Sequence, residues 1–101
     1  MKPSIPAAQM TTAELASYID HSVLKPEFTP SEIRREVEHG IGYGCKTVCI
    51  NPASVEIAAP LCAGTGTGMC VVVDFPFGCS STASKVAQTR VALEAGIQEL
   101  D

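Results

Sequence analysis

Met69-Cys70-Val71-Val72-Val73-Asp74-Phe75-Pro76-Phe77-Gly78 is the stretch that decides the fold. Its middle is continuously apolar and rich in β-branched residues, as strands covered on both faces are, so Met69 to Phe75 is predicted to be a strand in a sheet interior. Phe75-Pro76-Phe77-Gly78 then turns the chain outward. Ser80, Ser81 and Thr82 offer N-caps for a helix over Ala83 to Ala95, with Val86, Ala87, Val91 and Leu93 as its inner side and Gly96 as its stop. Ile97 to Asp101 begins a further strand. Strand, helix, strand in this order is a parallel βα unit.

The same unit recurs toward the N-terminus. Thr47 to Asn51 is a strand rich in β-branched residues. Asn51-Pro52 is expected to cap the next helix, whose Val55, Ala58, Ala59 and Cys62 share one face and which Pro60 kinks or shortens. Before it, Thr29-Pro30-Ser31-Glu32 is a capping box with proline at the first helical position, and Ile33, Val37 and Ile41 form one buried stripe. Gly40, Gly42 and Gly44 are expected to close that helix. Thr11-x-x-Glu14 opens a short helix through Ser17, and Tyr18 to Leu24 is the first strand, ended by Lys25-Pro26. Gly64-Thr65-Gly66-Thr67-Gly68 follows a helix and precedes a strand, the reverse of a phosphate-binding loop, and is a turn.

In this pattern apolar strand segments end in polar residues at Asp20, at Cys49 and Asn51, and at Asp74, and Asp101 falls where a fourth would end. Chemistry in parallel α/β folds sits at the C-terminal ends of the strands, where the outgoing loops meet. The chain is therefore expected to stop inside its own active-site rim.

Composition bounds the rest. A chain of 101 residues, 46% hydrophobic and 18% charged with net charge -4, can bury one modest core and is not disordered. Its seven Lys and Arg are scattered, and the Arg34-Arg35 pair is flanked by Glu32, Glu36 and Glu38, which argues against nucleic acid. The longest apolar stretch, Met69 to Val73, is too short for a bilayer, and Met1 to Met10 has no apolar signal core, so no membrane partner and a cytoplasmic location are expected. Five cysteines without a CxxC pair or zinc-finger spacing read as free thiols, four of them small core residues, with no metal.

Each polar candidate has a plain alternative. Asp20 is costly to bury without a cation or donor, which means either a paired site or a capped loop. His21 reads as a satisfied loop histidine, and Asp74 as a loop cap. Cys49 shares a strand side with Thr47 and Asn51, either lining the mouth or simply buried. The Ser80-Ser81-Thr82 helix start suits an anion, although ordinary capping explains it equally well.

Four segments carry a resemblance. Tyr18-Ile19-Asp20-His21-Ser22-Val23-Leu24-Lys25-Pro26, Lys46-Thr47-Val48-Cys49-Ile50-Asn51-Pro52, Phe75-Pro76-Phe77-Gly78 and Glu99-Leu100-Asp101 stand in the order and spacing of 2-deoxyribose-5-phosphate aldolases, which the chain resembles from about residue 12 to its end. The resemblance implies about the first half of a TIM (β/α)8 barrel, with strands 1 to 3, their helices and the start of strand 4, as a single partial domain over 1–101 with 1–11 as a lead. It implies metal-free, cofactor-free class I chemistry, in which a lysine Schiff base reversibly cleaves deoxyribose 5-phosphate to acetaldehyde and glyceraldehyde 3-phosphate. Asp101 looks like the proton-relaying aspartate, Asp20 like the supporting carboxylate, Cys49 like the pocket thiol, and Ser22 like a substrate-binding hydroxyl. The family's Schiff-base lysine and phosphate loops lie on strands absent from these 101 residues, so the chain alone is expected to be inactive. Position 74 departs from the family by being acidic where a smaller residue is common. A half barrel is further expected to self-associate or take a complementary half, and a non-catalytic assembly module or another Schiff-base barrel aldolase are the competing expectations.

Overall fold

The computed structural model describes residues 3–101. Local chemistry sets the helix starts. Thr11 and Thr29 each accept a hydrogen bond from the backbone N–H three residues on, and Glu14 and Glu32 reach back to the cap N–H, so both predicted capping boxes form. They open α1 (Thr12–Ala16) and α2 (Pro30–Tyr43). Gly44, at φ 73°, ends α2 in the left-handed conformation. Gly40 and Gly42, expected to help end that helix, lie inside it. Gly40 is needed for packing: a Cβ there would stand 2.7 Å from Val48 Cγ1 and 3.2 Å from His21 Cδ2.

Four strands, β1 (Asp20–Val23), β2 (Thr47–Ile50), β3 (Gly68–Val71) and β4 (Glu99–Leu100), form one sheet in chain order, with every neighbouring pair parallel. Residues 3–101 are thus about the first half of a TIM barrel wall, with α2, α3 (Val55–Cys62) and α4 (Thr82–Glu94) as the connecting helices. The outer core lies under these helices. Val23, Val37, Val48, Ile50, Ala58 and Val71 are at most 1% exposed there.

Strands are shorter than the apolar runs. The predicted Tyr18–Leu24 segment pairs only from Asp20, because Tyr18 and Ile19 donate their N–H groups to the end of α1. Met69 to Phe75 leaves regular pairing after Val71, and Asp74 turns at φ 54°. Asn51 does not cap a helix with its side chain: its amide Nδ2 donates to the Leu24 carbonyl at 3.3 Å, tying β1 to β2 while Pro52–Ser54 form a 3-10 turn into α3. Pro60 sits inside α3, which stops two residues later at Cys62.

The inner side of α4 is not the expected one. Val86, Val91 and Leu93 are 44%, 65% and 58% exposed, Ala87 is exposed too, and Ala92 alone is buried. On a helix, 85, 88, 89 and 92 share one stripe, so Lys85, Gln88, Thr89 and Ala92 turn inward while the valines and Leu93 occupy the two flanks. One flank faces α3 across an apolar groove of about 480 Å³ lined by Pro52, Val55, Val71, Ala87, Val91 and Ala92. Among the described residues no helix is long and apolar enough to cross a membrane.

Candidate active site on the inner sheet face

Side chains alternate along a strand, and register-paired residues of parallel strands share a face. The register pairs Asp20 with Thr47, Ser22 with Cys49, Cys49 with Cys70, and Cys70 with Glu99. These side chains all lie on the face turned away from the helices. Asp101 joins them two residues beyond Glu99. Its backbone stays in the sheet, with its N–H donating to Val71 O at 3.1 Å and its carbonyl accepting from Val73 N–H at 2.7 Å.

The inner face is therefore layered. Asp20 and Thr47 form the lowest row, Ser22, Cys49, Cys70 and Glu99 the next, and Leu24, Asn51, Val72 and Asp101 the row at the C-terminal ends, with rows roughly 7 Å apart. Asp20, expected at a strand end, is the first residue of β1 and sits two rows below Asp101. The register brings Ser22 and Cys49 side by side and does not bring Asp20 and Asp101 together. His21 faces the other way, with Nε2 3.4 Å from Glu36 on α2.

Hydrogen bonds and charges organise each row. Thr47 Oγ1 donates to Asp20 Oδ1 at 2.8 Å. Lys46, just before β2, places Nζ 3.1 Å from Glu99 Oε2, and this hydrogen bond with the attraction of Glu99 raises the lysine pKa above 10.5. Asp20, Cys70 and Glu99 bring ligand atoms within 4.8 Å of one another, and the Lys46 ammonium meets their negative charge. Burial pushes the Cys70 thiol up to about 12, with the neighbouring Cys49, Asp20 and Glu99 adding to it. The same desolvation raises Cys49, against a hydrogen bond from Cys70 and alongside repulsion from Asp101 and Asp20. Both thiols stay protonated at neutral pH.

Lys46, Glu99 and Cys70 were missed as site neighbours in the sequence. Two-residue alternation back from Asp101 puts Glu99 inward, but Lys46 lies just before β2, outside that alternation, and only its side-chain position shows that it meets Glu99. All five cysteines are free; Cys45, Cys49, Cys62 and Cys70 are buried, and Cys79 is exposed.

The mouth loop has its own frame. Asp74 Oδ2 accepts from Ser80 N–H at 2.8 Å, its N–H donates to Gln88 Oε1 at 2.9 Å, and its carbonyl accepts from Gly78 N–H at 2.8 Å. Bonds from Ser80 hold its carboxyl below the usual 3.8, helped by Lys85. The loop thus supplies its own anion beside the α4 start, where Ser81 caps Ser84 N–H.

A curated deoxyribose-phosphate aldolase of Clostridium botulinum (strain Langeland) is 43% identical over 88 residues, covering 87% of this chain and 42% of the relative. One of Rhodospirillum rubrum is 40% identical over 100 residues, covering 99% of this chain and 42% of the relative. The chain belongs to the deoxyribose-phosphate aldolase family. It spans about 42% of the length of those curated relatives. Solved deoxyribose-phosphate aldolase and aldolase structures share the fold. That of Aeropyrum pernix, described as tetrameric, superposes with TM-score 0.82 at 31% identity over 90% of this chain and 39% of its own. The aldolase QR15 gives 0.79 at 34% identity over 87% and 39%. No family model matches the chain.

Proposed function

We propose that this chain supplies the aspartate-bearing half of a class I deoxyribose-phosphate aldolase, with 12–101 as the first βα units and 1–11 as a lead. The whole protein reversibly cleaves 2-deoxyribose 5-phosphate to acetaldehyde and glyceraldehyde 3-phosphate. The observation that carries this proposal is the shared inner face of Asp20, Ser22, Cys49 and Asp101, with Asp101 in the row at the C-terminal ends of the strands.

In the proposed roles Asp101 relays protons as a general acid and base. In the cleavage direction the substrate hydroxyl loses its proton, the carbon–carbon bond breaks, and its electron pair moves into the protonated imine. Asp20 supports the lysine network from below, Ser22 contacts substrate, and Cys49 lines the pocket. The Schiff-base lysine comes from sequence outside these 101 residues. Lys25 lies in an exposed loop and Lys46 is held as an ammonium by Glu99, so neither is a ready nucleophile. Lys85 is on α4, and Lys2 lies outside the described residues.

Borohydride reduction in the presence of acetaldehyde tests this. The 101-residue chain is expected to give no lysine adduct by mass spectrometry, and turnover is expected when a fragment carrying the remaining strands is added. A specific adduct at Lys25 or Lys46, or no turnover in the reconstituted pair, would count against it.

A further inference from the structure

Asp74 adopts φ 54°, a left-handed conformation that favours glycine and is tolerated by Asp and Asn. Its side chain makes use of the position. Carboxylate, N–H and carbonyl each make one hydrogen bond, to Ser80, Gln88 and Gly78, and the Gln88 bond reaches the second turn of α4. Between these anchors the turn carries Phe75, 50% exposed, and Phe77, 86% exposed. The turn also leaves the sheet beside Asp101, because Val73 N–H donates to the Asp101 carbonyl. Phe75 and Phe77 thus follow by two and four residues the Val73 that is bonded to Asp101, and the hydrogen bonds that anchor their turn are made by Asp74.

We propose that Asp74 is a positioning residue that holds the 75–79 turn against the start of α4 and so keeps the approach to Asp101 clear of the turn's two phenylalanines. An anion beside a helix N-terminus is favoured by the unpaired N–H groups there, which gives the carboxylate a reason to stay. Lys85, on the inner stripe of α4, adds attraction from the helix side. For its role at the mouth the inference rests on the aldolase proposal, but its test needs no turnover, so either can fail alone.

Chymotrypsin cuts after exposed phenylalanine, and Phe77-Gly78 is the available bond in this turn. We expect Asp74→Gly, which suits the backbone but has no carboxylate, and Gln88→Ala, which leaves Asp74 in place, to be cut there about tenfold faster than the wild-type chain, in line with loss of a bond that closes the loop. Asp74→Asn keeps an acceptor and tolerates the backbone angle, so it should restore most of the protection. Cutting after Tyr43, 66% exposed at the end of α2, is the internal reference. The proposal is overturned if Asp74→Gly is cut no faster than wild type, if Asp74→Asn is cut as fast as Asp74→Gly, or if cutting after Tyr43 rises in step with cutting after Phe77.

Discussion

Gly40 is the position where one methyl group separates two opposing effects. Alanine in a helix interior gains up to about 1 kcal/mol over glycine, whereas forcing a methyl into a filled core costs about 1–3 kcal/mol. Val48, the nearest neighbour, is fully buried and cannot swing away. Gly40→Ala is therefore expected to lower stability by about 1–2 kcal/mol in urea unfolding, while Gly42→Ala, which meets nothing within 4 Å, should raise it. The thiols divide in the same way. Burial keeps Cys49, Cys62 and Cys70 protonated and covered, and Cys45 is covered too, so an aromatic disulfide reagent at pH 8 should titrate Cys79 rapidly and the other four only after denaturation. Two or more fast thiols would contradict that packing. At Asp74 the carboxyl pKa lies below its ordinary 3.8 in the folded chain, so its stabilisation is fully present above 3.8 and is lost as pH falls through the lowered value. The gap in urea midpoint between wild type and Asp74→Asn should accordingly close on acidification.

At the scale of elements, α2 depends on its start. Thr29→Ala removes an acceptor at Glu32 N–H and is expected to cost about 1 kcal/mol, read as a shift in urea midpoint without a change in slope. Such caps were fully legible, because Thr11 with Glu14 and Thr29 with Glu32 satisfy their own neighbours. Strand ends were not. The apolar run Met69 to Phe75 extends beyond the strand at Val71, with only single sheet bonds from Val72 and Val73 before the chain turns at Asp74. Asp20, polar after an apolar residue, looks like a strand end although Lys46 N–H bonds Ile19 O and Thr47 bonds Asp20, which makes it a strand start. The inner side of α4 is hidden from the apolar pattern for a related reason. Apolar residues mark where a helix needs cover, and in α4 those places are its flanks, whereas the stripe on the sheet holds Lys85, Gln88 and Thr89. The candidate site itself is half legible: strand parity groups Thr47, Cys49 and Asn51, but Lys46 stands just before β2, outside that parity, and its long side chain reaches Glu99 across β3.

For the whole molecule, β1 and β4 each lack a strand partner on one side among the described residues, and Val86, Leu93 and Leu100 stand exposed near the β4 side. Open parallel edges beside apolar surface favour association. Light scattering should give a mass above 10.6 kDa that rises with concentration and falls when the complementary strands are supplied. A constant monomer mass would refute this. If the added strands yield a stable but inert complex, the assembly-module expectation replaces the aldolase proposal.

The two-residue alternation of carboxylates, hydroxyl and thiols on one side with Val23, Ile50, Val71 and Leu100 on the other doubles as an error check on assembly. Sliding β1 or β4 by a single residue would exchange the two sets on that strand, driving Asp20 or Glu99 into hydrocarbon and setting Val23 or Leu100 toward the polar face. Misaligned forms are thus penalised by charge as well as by poor fit, so the polar groups of the candidate site also select a single alignment of the sheet.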